Sequence, residues 1–193
     1  MAGNGKRVEV DESALPKAFA EQLAWAERFA LGAILLAEDR AAAKKALALL
    51  GPECFWTGKY RAVFVLLQCA MIEQVDPVLG PDLLRVRESW AQRQPALGGV
   101  TMDHVAEIVD QVSPHAPVLR AAIPELWRFM LRRDGILKVR GLVAALADSS
   151  VEALRVFEAE REWWTQWQTA LQATQSGKKP KLPGTPLTVG VVA

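Results

Sequence analysis

Two long runs of helically spaced apolar residues, separated by a short polar turn, constrain this chain more than any other feature. Ile123, Leu126, Trp127, Met130 and Leu131 open the first run, and Ile136, Val139, Val143 and Leu146 carry its stripe onward. Asp148-Ser149-Ser150 interrupts it, and Ser149 followed by Glu152 has the capping-box spacing that starts a new helix. Val151, Leu154, Phe157, Arg161, Trp164, Gln168 and Leu171 then run to about Thr174. Helices joined by so short a turn fold back as an αα-hairpin. Such a pair packs along one seam and leaves part of each apolar stripe in need of a further partner. Pro124 is tolerable only near the first turn of its helix. Gly135 and Gly141 each cost about 1 kcal/mol in a helix interior, so a kink or a close helix contact is expected there.

Upstream, strand signals are almost absent. After Pro16 a helix is predicted to about Glu38, with Leu23, Ala26, Ala30, Ile34 and Leu35 on one stripe. A short helix over Arg40–Leu50 stops at Gly51-Pro52. A loop over Pro52–Gly58 precedes Tyr60, Val63, Phe64, Leu67 and Met71, the best amphipathic pattern in the chain. Val75-Asp76-Pro77 breaks that helix. Pro81 suits the first position of the next, which holds Leu83, Leu84, Arg87 and Trp90 and ends at Pro95 or Gly98-Gly99. Thr101 is placed to cap a helix that buries Val105, Ile108, Val109 and Val112, before a loop at Ser113-Pro114 and Pro117. The fold class that follows is all-α, a compact helical bundle followed by a long αα-hairpin. Residues 1–14 are expected as a flexible N-terminus, 15–120 as the bundle and 121–175 as the hairpin. Residues 176–193 read as a Pro/Gly/Lys-rich tail or linker.

Composition narrows the function. With 23 Lys and Arg against 22 Asp and Glu, the net charge of +1 argues against a protein that neutralises many phosphates. No apolar run reaches the ~18 residues of a membrane span, and Met1–Glu12 lacks the apolar core of a signal peptide. A cytoplasmic location is expected. Cys54 and Cys69 sit among apolar residues and read as small core side chains.

Catalytic motifs are missing from the sequence. His104 and His115 are too far apart for a helical metal pair and have no cysteine cluster beside them, so no metal is expected. The pairs Gly5-Lys6, Gly58-Lys59 and Gly177-Lys178 lack the Ser or Thr that completes a phosphate-binding loop. No cofactor, ATP turnover or other enzyme activity is expected. Arg128, Arg132, Arg133, Lys138 and Arg140 gather near the start of the hairpin, and the tail adds Lys178, Lys179 and Lys181. Arg132, Arg133, Lys138, Arg140 and the three tail lysines are candidates for weak nucleic-acid contact, against the plainer reading of a solvated helix face. Of the seven tryptophans, Trp25, Trp90 and Trp127 are expected in the core. Trp163, Trp164 and Trp167 cannot all face one way, so at least one should be exposed or in an interface.

Several stretches resemble the N-terminal domain of DnaB-type replicative DNA helicases. Ala26-Glu27-Arg28-Phe29-Ala30-Leu31-Gly32-Ala33-Ile34-Leu35-Leu36 is similar to that family's A-E-Q-x-x-L-G-x-x-L-L opening. Glu53-Cys54-Phe55-Trp56 with Thr57, Arg61, Val63 and Phe64 resembles its D-x-F-Y-x-x-x-H-x-x-I-F stretch, with Lys59 and Tyr60 where the family has Pro-His. Val75-Asp76-Pro77-Val78 with Leu83-Leu84, the Leu97-Gly98-Gly99 turn, Ser113-Pro114 and Met130-Leu131-Arg132-Arg133 follow in the family's order. The resemblance covers roughly Leu15–Trp167. It contains no part of the motor domain that follows in a helicase.

The resemblance implies a bundle and hairpin whose hairpins pair into dimers and build a collar on a hexameric helicase ring, where primase and, in some systems, loaders bind. The helicase-binding domain of primase is similar in fold. The expected function is therefore a protein–protein interaction domain of the replication machinery, forming a homodimer or higher oligomer and binding helicase, primase or helicase loader. Weak or no DNA binding and no membrane contact are expected. The alternatives are a free-standing accessory or loader-type protein and a helical nucleic-acid-binding module. Trp127, Leu131, Ile136, Val139, Val143, Leu154, Phe157, Trp164 and Leu171 are the self-association candidates.

Overall fold

The computed structural model describes residues 14–75, 80–110, 119–147 and 153–183. Among them are seven α-helices and no strand: α1 Lys17–Leu35, α2 Arg40–Leu49, α3 Gly58–Ile72, α4 Gly80–Trp90, α5 Met102–Asp110, α6 Leu119–Ala147 and α7 Ala153–Gln175. The all-α class, with a bundle followed by a long hairpin, is what the sequence predicts. The chain divides into two compact units, Met1–Ala116 and Pro117–Ala193. The turn at residues 148–150, the Ser149 capping box, His115, the loop at Ser113-Pro114, and residues 1–13 lie outside the described residues.

The first unit is built around α3, which packs on α1, α2, α4 and α5. The sequence predicts one apolar stripe on α3. Burial extends beyond it to Ala62, Leu66, Cys69 and Ala70 as well as Tyr60, Val63, Phe64 and Leu67. A helix apolar on most of its circumference belongs in a core rather than on a surface. The α1 stripe is buried as expected, and Cys54 and Cys69 are buried free thiols.

Helix ends follow local chemistry. The Asp39 side chain caps α2 by accepting the N–H groups of Ala41 and Ala42 at 2.9 and 3.1 Å. Backbone N–H groups of Gln74 and Val75 return to the carbonyls of Met71 and Ala70 at the end of α3. This is a Schellman closure, and Gln74 takes the left-handed φ of 57° that glycine usually supplies. At the start of α5, His104 Nδ1 accepts the Thr101 N–H at 3.3 Å, the return bond of a capping box made by a histidine. Between Gly51 and Gly58 the predicted loop contains a 3-10 turn, Pro52–Cys54.

Trp25 departs from expectation. It is 49% exposed and stacks on Phe29 with ring centroids 5.1 Å apart, because the buried face of α1 is carried by small and aliphatic residues instead. Trp90 is half-buried and donates its indole N–H to Glu73 Oε1 at 2.6 Å.

The second unit is the pair α6 and α7. Contacts between Leu131 and Trp167 and between Lys138 and Glu160 show the helices running antiparallel. Helix α6 begins before Pro124, which lies inside it rather than in its first turn. Ala122, Ile123, Leu126 and Trp127 are buried around it, and that burial offsets the backbone bond a proline removes.

Candidate interaction surface on the hairpin

The seam of the hairpin is closed by indoles. Trp163 and Trp167 stack one turn apart, with centroids at 6.4 Å, and Trp164 meets both edge-on at 4.9 and 5.7 Å. Trp163 is buried, and Trp164 and Trp167 are half-buried. None of the three stands exposed, so of the two places expected for them, solvent or an interface, the first is corrected. Indole rings are broad enough for neighbouring positions to meet at their edges. Trp167 also donates its ring N–H to the Leu131 carbonyl at 2.8 Å. Gly135 permits this approach, since a Cβ there would sit 3.1 Å from Trp167 Cζ2. Close helix contact, rather than a kink, is the role of this glycine. Gly141 meets nothing within 4 Å.

Charges predicted to face nucleic acid are partly consumed by burial and pairing in the second unit. Arg133 is buried and forms an ion pair with Asp134 at 2.7 Å. Burial pushes the Asp134 carboxyl up, against the pull of the Arg133 guanidinium. Lys138 forms an ion pair with Glu160, with both side chains largely buried, and its ammonium lies 5.4 Å from the Trp163 ring centroid. Arg133 and Lys138 are thus corrected from surface cations to internal ones. Arg132, Arg140, Lys178, Lys179 and Lys181 are exposed.

The self-association candidates also separate. Trp127 and Leu131 are buried within the folded chain, which removes them from any open surface. Ile136, Trp164 and Leu171 are half-buried, and the Leu154 side chain lies outside the described residues. Val139 is 46% exposed, Val143 61% and Phe157 54%. Leu146, 37% exposed, was not among the candidates. Its spacing from Val139 and Val143 at i, i+4 and i+7 is the signal that places it on their face. Apolar exposure therefore gathers on the C-terminal half of α6 and the N-terminal part of α7.

In the first unit, the titratable side chains gather on Glu107. Its carboxylate accepts Lys59 Nζ at 2.8 Å and the Tyr60 hydroxyl at 3.3 Å, and Arg28 lies 3.9 Å away. The Lys59 hydrogen bond lowers the Glu107 pKa, and the same bond raises that of Lys59, while burial raises Tyr60. Each group is held in its ordinary neutral-pH protonation state. The arrangement pins α3 to α5 and supplies neither a free base nor a nucleophile. Among the described residues no three His, Cys, Asp or Glu side chains converge as metal ligands, and no helix is long and apolar enough to cross a membrane.

Compared with protein-family models, curated proteins and solved structures, the chain matches none.

Proposed function

We propose that this chain is a cytoplasmic protein–protein interaction module of the DNA replication machinery, without motor or other enzymatic activity, whose hairpin mediates self-association. The observation that carries the reading is the exposed row Val139, Val143 and Leu146 on α6, with Phe157 on α7. Exposed apolar side chains at i, i+4 and i+7 on one helix mark a surface that a partner covers. A second hairpin offers a complementary row by two-fold symmetry. Replication as the setting rests on the resemblance to the DnaB-type collar domain. The two stretches that carry most of that resemblance pack against each other. Glu27, in the Ala26–Leu36 stretch, accepts the backbone N–H groups of Trp56 and Thr57, in the Glu53–Phe64 stretch. Arg61 reinforces it by donating Nε and Nη2 to the Phe55 carbonyl at 2.9 and 2.7 Å. The loss of Arg133 and Lys138 to internal pairs disfavours the nucleic-acid reading.

Sedimentation velocity tests the proposal. A dimer or larger species is expected, and Val143→Glu, at an exposed position, is expected to weaken it at least about tenfold, corresponding to 1.4 kcal/mol. Co-migration of the wild-type chain with a DnaB-type helicase or a primase would support the replication setting. A monomer at high concentration, or an assembly indifferent to Val143→Glu, would remove the hairpin from the function.

A further inference from the structure

A cavity of about 140 Å³ opens in the first unit, between α1, α2 and the end of α3. Ile34, Ala43, Leu47 and Leu67 line it and are buried, so they form its floor. Arg40, Lys44 and Gln74 line it and retain exposure, so they form its mouth. Arg40 is fixed there by the bond from Nη1 to the Leu35 carbonyl at 3.0 Å. Gln74 is the residue held in the left-handed backbone at the end of α3. A side chain occupies a position that favours glycine, and it does so at the rim of this opening.

Size and charge together specify an occupant. Small-molecule and cofactor sites run to about 300–1,000 Å³, well above this volume. An apolar cavity of about 150 Å³ holds a benzene-sized group. Both charged lining residues are cations. An apolar floor gives nothing to a phosphate chain, and a cationic mouth repels a basic segment. We infer that this cavity is a socket for one aromatic or aliphatic side chain of an acidic peptide segment on a partner protein, with Arg40 and Lys44 receiving the flanking carboxylates. It goes beyond the hairpin surface, since it lies wholly in the first unit.

The probe is the peptide acetyl-Glu-Glu-Phe-Glu-Glu-amide, titrated into the isotope-labelled full chain while the methyl signals of Ile34, Leu67 and Met71 are followed. Saturable shifts at these methyls are expected. They should disappear when the peptide's Phe is replaced by Ser or its Glu residues by Lys. Lys44→Glu, at an exposed position, should weaken binding about fivefold, the scale of a surface charge pair. Ala43→Phe should fill the socket and abolish the shifts, and Lys44→Glu keeps the test decisive if that variant fails to fold. Val143→Glu should leave the titration unchanged whatever it does to assembly. No shift up to the peptide's solubility limit, shifts confined to other methyls, equal binding of the Lys-flanked peptide, or indifference to Lys44→Glu would each overturn the assignment.

Discussion

The first unit encloses a buried carboxylate, Glu27, and satisfies it with the backbone N–H groups of Trp56 and Thr57. The second unit instead buries side-chain ion pairs, Arg133 with its neighbour Asp134 and, across the hairpin beside Trp163, Lys138 with Glu160. The difference follows from geometry. Around α3, helices on several sides exclude water, and a carboxylate there needs fixed donors such as these to meet it. Between two helices the seam is narrow and open at its flanks. There a long amphipathic side chain such as Lys138 buries its stem and pairs its head with a carboxylate of the facing helix. What the hairpin cannot do by itself is cover Val139, Val143 and Phe157. The unit with the fuller core carries a socket, and the unit with the thinner core carries an open apolar row.

The largest effect expected from this contrast separates two phenylalanines. Phe64 is fully buried and stacks on Phe55 with centroids 4.7 Å apart, whereas Phe157 is 54% exposed. Phe64→Ala should cost about 3–5 kcal/mol in urea denaturation of the first unit. Phe157→Ala should change the stability of the monomer by no more than about 0.5 kcal/mol. Equal losses would erase the distinction between core and open surface.

A smaller pair of effects, opposite in sign, tests the hairpin seam. Alanine at Gly141 meets nothing within 4 Å and should stabilise α6 by about 0.5–1 kcal/mol. Alanine at Gly135 gains the same helix propensity, but its Cβ would press on Trp167, which is tied to Leu131. Overpacking of this kind costs about 1–3 kcal/mol, so Gly135→Ala should be net destabilising. Thermal unfolding of the two variants checks the sign, and stabilisation by both would mean that Trp167 yields freely.

The smallest effect is in acid, where one carboxyl in each unit should contribute in opposite directions. The folded Glu107 binds its proton less readily than the unfolded chain does, because Lys59 holds the carboxylate. Its stabilisation is present above the ordinary glutamate range and is lost as pH falls through the depressed folded value. The folded Asp134 binds its proton more readily, because burial disfavours the charge. Its contribution therefore weakens as pH rises from the ordinary aspartate range through the raised folded value. Carboxyl-carbon NMR titration should place the Glu107 midpoint below the ordinary range for glutamate and that of Asp134 above the range for aspartate. Midpoints on the same side would contradict the contrast.

Much of this architecture follows from the sequence alone because it depends on local physics. Helical spacing and the Gly51-Pro52 stop are set by neighbours along the chain, and they suffice for an all-α class; the Asp39 cap is equally local, but the sequence reading missed it. Periodicity also exposed the row that continues through Val139, Val143 and Leu146. Periodicity could not say how much of a stripe its own partners cover. Trp127 and Leu131 belong to the same pattern as Val143 and are buried, while Trp25 looked like core and is not. Nor could a count of cations reveal that Arg133 and Lys138 would find carboxylates inside the fold. Pairing of Lys138 with Glu160 requires the antiparallel register, and that register depends on Trp167 fitting against Gly135. The socket, likewise, exists only where three helices meet. Which segments are helical, and where they break, is legible residue by residue because those forces act within a few positions. Which apolar and charged side chains remain for a partner is a property of the folded chain, because burial and pairing depend on what other segments bring alongside.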